Sequence, residues 1–209
     1  MAGYVSDAVI RRLPGYYRHL RELEKQGVVQ ISSQEMGKQM NLTPSQIRQD
    51  INCFGGFGRQ GYGYKVSELK EHIGEILGLN NQHRMIIVGV GSIGLAVCNY
   101  ANFSREGFET VALFDANPDK VGKLINGVPV LSDQELEKYI SEHDVDIAVI
   151  AVPDVAAQAV MDRVAACGIK AVWNFAPIDL KYDSSMIVVN VHLSDSLQIL
   201  SYKMAHADD

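Results

Sequence analysis

Arg84-Met85-Ile86-Ile87-Val88-Gly89-Val90-Gly91-Ser92-Ile93-Gly94-Leu95-Ala96-Val97-Cys98-Asn99-Tyr100 decides the fold of the larger part of this chain. The apolar run predicts a buried strand, the glycines a tight turn, and the residues after them a helix. Strand, G-x-G-x-x-G and helix in that order is the dinucleotide-binding fingerprint in its structural setting. Each glycine has its own reason. Gly89 permits the turn, Gly91 lets a pyrophosphate approach the backbone, and Gly94 allows helix and strand to pack closely. Val90, Ser92 and Ile93 complete the loop, and the helix N-terminus faces the phosphate charge.

The pattern continues towards the C-terminus. Residues 110–114 predict a second strand that ends at Asp115, 21 residues beyond Gly94. An acid there accepts from a ribose 2′-hydroxyl and repels a 2′-phosphate, which favours NAD(H) over NADP(H). Lys120 is the nearest base that follows. Strands are expected at 127–130, 145–152, 169–175 and 187–191, with helices at 133–143 and 156–168 between them. A last helix is expected at 194–205, with Leu197, Leu200, Ser201 and Met204 on one face. Strands alternating with helices imply a doubly wound parallel sheet.

Towards the N-terminus the pattern is helical. Ser6 and Asp7 can cap a helix through Ile10 and Leu13, and Pro14-Gly15 is expected to interrupt it or set its start. Tyr17, Leu20 and Leu23 follow at helical spacing up to Gly27. A short helix is expected at 33–40 and a turn at Asn41-Leu42. Thr43-Pro44 is a strong start signal, with Thr as N-cap and Pro at the first helical position. The helix expected at 44–54 buries Ile47 and Ile51 and exposes Ser45, Gln46, Arg48, Gln49 and Asn52. Two short helices around a tight turn form a helix-turn-helix. Gln, Arg and Ser on the second helix can reach base edges in a major groove. The stretch Gly55-Gly56-Phe57-Gly58-Arg59-Gln60-Gly61-Tyr62-Gly63-Tyr64 is expected to be a hairpin. Arg59 at its tip suits a minor groove or a phosphate. A helix over 66–79 completes the order of a winged helix, and the join to the second domain falls near residues 79–83.

The chain has 209 residues, a formal net charge of −6, 47% hydrophobic and 21% charged residues. That composition excludes a disordered or fibrous chain. The acidic total argues against nucleic acid until it is divided. Residues 1–65 carry nine bases and five acids, net +4, which leaves −10 for the remainder. A basic head on an acidic body matches a DNA-binding segment ahead of a domain that grips phosphate through backbone N–H groups. The longest apolar run, 147–152, is far short of the ~20 residues of a membrane span. No secretory signal is expected at the N-terminus. Cys53, Cys98 and Cys167 are odd in number and widely spaced, which fits a reducing cytoplasm and no metal site. A dehydrogenase needs a substrate domain and an acid/base group, and little chain remains for the first. His143 and His192 are the candidates for the second. The chain therefore reads as a non-enzymatic sensor that joins an NAD(H) reader to a DNA reader. A small NAD-dependent oxidoreductase and a coenzyme A-binding regulator are the alternatives.

The sequence resembles the Rex family of redox-sensing transcriptional repressors over essentially its whole length. The resemblance rests on Gln46-Ile47-Arg48-Gln49-Asp50, the glycine-rich stretch from Phe54 to Tyr64, Leu77-Gly78-Leu79, and the loop from Gly89 to Gly94. It continues with Phe114-Asp115-Ala116-Asn117-Pro118-Asp119-Lys120-Val121-Gly122 and Asn174-Phe175-Ala176-Pro177. It implies a cytoplasmic homodimer with a winged-helix domain at 1–80, a Rossmann domain at 81–192, and a C-terminal segment at 193–209 whose helix is exchanged between subunits. It implies release from an inverted-repeat double-stranded operator when NADH binds, with NAD+ competing. Cofactor contacts are implied for residues 89–94, Asp115 and, at the nicotinamide end, Asn174, Phe175, Ala176 and Pro177. The DNA contacts expected are Thr43, Ser45, Gln46, Arg48 and Gln49 on the helix and Arg59, Gln60 and Tyr62 on the wing. An interdomain switch is implied at Arg18, Tyr100 and His192. Two departures stand out. His192 falls where the family has an acid, and a His cannot accept an Arg's charge-assisted bond as a carboxylate does. Arg59-Gln60 stands where members often carry two adjacent bases.

Overall fold

The computed structural model describes residues 5–55 and 63–207. The chain divides into two compact units, residues 1–81 and 82–209. In the first, helix α1 (Asp7–Lys25) runs unbroken through Pro14. This corrects the expected interruption. Proline removes one backbone hydrogen bond, but Val9, Leu13, Tyr16, Leu20 and Leu23 form a continuous buried stripe that holds the helix together. Ser6 occupies the N-cap position, but its side chain makes no capping bond.

Strand β1 (Gln30–Ile31) pairs antiparallel with β2 (Tyr64–Lys65). Between them lie α2 (Ser33–Met40) and α3 (Pro44–Asn52). Helix α2 starts with a capping box in which Ser32 and Glu35 bond each other's backbone N–H. Asn41 turns the chain at φ 55°, and the Thr43 hydroxyl caps α3 by accepting from the Gln46 N–H. A Cβ on Gly37 would stand 2.6 Å from the Leu42 carbonyl oxygen, so the turn between the two helices closes only over a glycine. Helix α3 ends two residues earlier than expected. Helix α4 (Val66–Ile76) stops short of residue 79 because Gly78 takes φ 71° and the Leu79 N–H returns to the Gly74 carbonyl, a Schellman ending. Leu13, Tyr16, Leu20, Met36, Ile47, Ile51, Leu69 and Ile73 share one core.

The second unit is a seven-stranded sheet. Its strands are β3 (His83–Val88), β4 (Phe108–Asp115), β5 (Leu124–Ile125), β6 (Val128–Ser132), β7 (Ile147–Ile150), β8 (Ala171–Asn174) and β9 (Ile187–Asn190). Their order is β5-β6-β4-β3-β7-β8-β9, parallel except for the β5–β6 hairpin. From β6 to β9 this is the doubly wound arrangement, with the strand order reversing beside β3. The hairpin was not expected, although Asn126-Gly127, both at positive φ, is the turn pair such a hairpin needs. Alternate residues of the central strands feed two cores. Ile86, Val88 and Phe114 pack with α7 (Leu136–Glu142) and α8 (Asp154–Ala166). Met85, Ile87 and Leu113 pack with Val97 of α5 (Ser92–Cys98). A short α6 (Asn102–Arg105) follows α5. Helix α9 (Leu193–Ala205) has no buried residue within this chain.

Candidate functional site

The glycine loop lies at the C-terminal end of β3, where doubly wound sheets bind ligands. The Gly89 N–H donates to the Phe114 carbonyl at 2.8 Å, and the residue takes φ 101°. A Cβ on Gly89 would meet the Ala151 oxygen at 2.4 Å. One on Gly94 would meet the Gly89 oxygen at 1.9 Å, so α5 rests directly on the loop. A Cβ on Gly91 would meet nothing within 4 Å. Gly91 is thus bare of protein on the side where a phosphate can approach, and that is the observation by which the loop fits a dinucleotide. Ser92 is exposed at the start of α5, Ile93 is half-buried, and Val90 is buried.

Asp115 ends β4 beside this loop. Its Oδ2 accepts from the Val90 N–H (2.8 Å) and from Lys120 Nζ (2.9 Å), and its Oδ1 accepts from the Asn117 N–H (2.8 Å). Burial pushes the carboxyl up, but the Lys120 ammonium and the two N–H groups outweigh it and hold the group below its ordinary range. Asp115 therefore clamps the loop as well as facing the ligand space. Gly89, Gly91, Asp115, Lys120, Pro153 and Arg163 are among the residues lining a cleft of about 470 Å³. Arg163 is committed elsewhere, to both carboxylate oxygens of Asp133 and to Glu137. A larger hollow of about 700 Å³ contains Arg84, Tyr100 and Tyr139 but none of the loop glycines.

Residues 174–177 do not line the smaller cleft. The Asn174 side chain is fully buried, and its amide is spent inside the protein. It donates to the Ile178 carbonyl and to Asn190 Oδ1, each at 2.9 Å, and accepts from the Ala176 N–H. Asn174 thus shapes the turn that carries Phe175, half-buried Ile178 and exposed Pro177. Two chains of contacts start here. Phe175 packs on Trp173, Trp173 on Phe103, and Phe103 on Tyr100, with ring centroids 4.6, 5.6 and 4.6 Å apart. Asn190 Nδ2 donates to Asp179 Oδ1 at 3.4 Å, and the same oxygen lies 3.2 Å from His192 Nε2. His192 is the N-cap residue of α9. An acid, Asp179, therefore lies beside His192.

In the first unit, Ser45, Arg48 and Gln49 are exposed on α3. The Thr43 and Ser45 hydroxyls are bonded to each other, and Arg48 Nη1 donates to Ser33 Oγ at 2.9 Å. Gln46 is turned inward, its Nε2 donating to Asp50 Oδ1 at 2.9 Å. Arg18 is exposed on α1. Arg59, Gln60 and Tyr62 lie outside the described residues. Asp50 belongs to the motif at 46–50, but the sequence assigns it no role. It is fully buried, and it accepts from Arg12 at 2.6 and 2.9 Å, from the Tyr16 hydroxyl at 2.7 Å, and from Gln46. Burial pushes this carboxyl up, but these donors prevail and hold it below its ordinary range. The available signal was its place on the inward stripe between Ile47 and Ile51, where an acid must find cationic or polar partners. Among the described residues no group of three His, Cys, Asp or Glu side chains could hold a metal. Among them, too, no helix is long and apolar enough to cross a membrane.

A helix-turn-helix unit and a doubly wound unit with a dinucleotide-type loop, on one chain, define a class: DNA-binding regulators that read a nucleotide. The comparisons with known proteins narrow it. Residues 80–178 match the family described as "CoA binding domain", and residues 4–52 match "Putative DNA-binding protein N-terminus". The redox-sensing transcriptional repressor Rex of Caldanaerobacter subterraneus is 48% identical over 200 residues, covering 96% of this chain and 89% of the relative. That of Clostridioides difficile is 50% identical, covering 96% and 95%. The crystal structure of RSP in complex with β-NAD+ and operator DNA superposes with a TM-score of 0.92 at 47% identity, covering 98% of this chain and 94% of that one. RSP in complex with β-NADH gives 0.91 at 45%, covering 98% and 96%. The chain belongs to the Rex family of redox-sensing transcriptional repressors.

Proposed function

We propose that this protein represses transcription as a cytoplasmic homodimer, holding an inverted-repeat operator until NADH binds, with NAD+ competing for the same site. The observation that carries the reading is the open face of Gly91 beside the clamped Asp115, on the same chain as the capped α3. It is supported by relatives named as redox-sensing repressors and by RSP, whose structures contain NAD+ with operator DNA and NADH. The domains are assigned as 1–80 for DNA, 81–192 for the cofactor, and 193–209 for exchange between subunits. The protein is not an enzyme on this reading.

Residues 89–94 and Asp115 hold the adenosine and pyrophosphate, and the 174–177 segment meets the nicotinamide end. The cofactor supplies a nicotinamide ring whose charge changes with its redox state; the protein supplies the two chains of contacts that start at this segment. The aromatic chain ends on Tyr100 and the polar chain on His192, both switch residues together with Arg18. Asn174 acts through the turn it shapes rather than through its own amide. Ser45, Arg48 and Gln49 contact DNA directly, with Thr43 placing the helix start and Arg59, Gln60 and Tyr62 serving the wing. Gln46 holds Asp50 in place. Because a ligand shifts an equilibrium only through its different affinity for two states, NADH and NAD+ must differ in their preference for the DNA-free form. Helix α9, with Leu197 and Leu200 exposed in the single chain, finds its partner in a second copy. The test is selection from a random duplex pool by the purified protein, with and without NADH. An enriched inverted repeat that NADH suppresses supports the reading, and enrichment of no sequence refutes it.

A further inference from the structure

We propose that Lys120 is an anchor for a phosphate on the adenosine ribose, masked by Asp115, so that the ion pair determines whether phosphorylated dinucleotides enter. The inference rests on the proposed cofactor reading and extends it to specificity. Both residues line the cleft with Gly89 and Gly91. The ammonium lies 2.9 Å from Asp115 Oδ2, and the two side chains are 36% and 11% exposed. Apart from the lysine, two backbone N–H groups hold the acid in place, while the lysine stands on a longer and more exposed stem.

An unpaired acid at the ribose would repel a 2′-phosphate by its charge alone. Here that charge is offset by an ammonium in contact with it, which leaves the ribose edge close to neutral. Exclusion of the phosphate then depends on Asp115 keeping Lys120 occupied. Arg163, the other cation lining the cleft, bonds Asp133 and Glu137 and is not available. Removing the carboxylate charge therefore releases one cation, five residues along the same loop, at the place where a ribose phosphate would sit. The family described as "CoA binding domain" spans this lysine. Coenzyme A carries its ribose phosphate at the 3′ position and NADPH at the 2′ position; the shared chemistry is a phosphate monoester on adenosine. We assign Lys120 to the 2′ position, next to the hydroxyl that Asp115 faces.

The test is calorimetric titration of the full-length protein with NADH, NADPH, 2′,5′-ADP and 3′,5′-ADP, with thermal melting as a check on folding. Asp115→Asn keeps an oxygen for the Val90 N–H, gives up the acceptor of the Asn117 N–H and removes the charge. It is expected to shift the NADPH-to-NADH affinity ratio at least tenfold towards NADPH and to bind 2′,5′-ADP in preference to 3′,5′-ADP. Adding Lys120→Gln is expected to abolish the gain. Lys120→Gln alone, which leaves the loop clamp intact, is expected to lower the NADPH-to-NADH ratio below that of the wild type. No gain in Asp115→Asn, a gain that survives Lys120→Gln, or a single Lys120→Gln protein with an unchanged ratio would each overturn the proposal while leaving NADH binding in place. A preference for 3′,5′-ADP would overturn the 2′ assignment. Wild-type protein that binds neither NADH nor NADPH would overturn the cofactor reading and this inference together.

Discussion

Replacing Gly91 and Gly94 separately by alanine divides ligand access from folding. Gly91 has φ −86° and ψ −167°, an extended conformation that alanine adopts freely, and its added Cβ meets no protein atom within 4 Å. The stability of Gly91→Ala should stay within about 1 kcal/mol of wild type, since loss of glycine entropy in the unfolded chain and the poorer N-cap nearly offset each other. Its methyl nevertheless projects into the space a pyrophosphate must occupy, so NADH affinity should fall at least about tenfold, or 1.4 kcal/mol. Gly94→Ala is the opposite case. Its Cβ would lie 1.9 Å from the Gly89 oxygen and 3.4 Å from Ile87 Cγ2, so α5 must lift off the loop. Overpacking of this kind costs about 1–3 kcal/mol, or roughly 5–15 °C in melting temperature for a unit of this size. Circular dichroism melts without ligand and NADH calorimetry read the two effects. Undiminished NADH binding by Gly91→Ala, or a melting loss equal to that of Gly94→Ala, would show that the open face of Gly91 is not where the pyrophosphate sits.

Asp50→Ala leaves the Arg12, Tyr16 and Gln46 donors without their acceptor, which should destabilise the helix-turn-helix by about 3–5 kcal/mol and abolish operator binding. Calorimetry should show NADH binding retained; loss of both functions would contradict this. Hydrogen bonds from Arg163 outweigh burial and hold the Glu137 carboxyl down to about 2. Its stabilising effect should be complete above the ordinary glutamate pKa and fade as pH falls from there towards 2, and Arg163→Gln should return the carboxyl to its ordinary range by NMR titration. Replacing Leu197 and Leu200 by Ser, both more than half exposed on α9, should convert a dimer to a monomer in light scattering without changing the melt of an isolated subunit.

The sheet was legible because its strands carry short apolar runs and its loop carries glycines at a fixed spacing. Strand ends lie inward of the expected bounds by one or two residues at β7 and β8, where apolar flanking residues such as Val145 and Val152 pack without joining the ladder. The β5 strand was missed because two residues carry no periodicity, although Asn126-Gly127 announced the turn. Pro14 misled because tertiary burial of the α1 stripe outweighs the local penalty. Side-chain commitments were the least legible part. Gln46 and Asp50 stand at the i, i+4 spacing of one helix face, but nothing in the spacing of Asn174 or Asp179 shows that their polar groups pair with Asn190 and His192, 16 and 13 positions away. Asp115 could be located from its distance to the loop, but its contact with Lys120 depends on how the turn after β4 folds back.

On the proposed function, this molecule releases DNA in response to reduced cofactor. Fluorescence anisotropy of a labelled operator duplex, titrated with NADH at several fixed concentrations of NAD+, measures it directly. Release by NADH is expected, with a midpoint that moves upward in proportion to NAD+, and with retention of the complex in NAD+ alone. Release by both forms at the same concentration, or by neither, would contradict it.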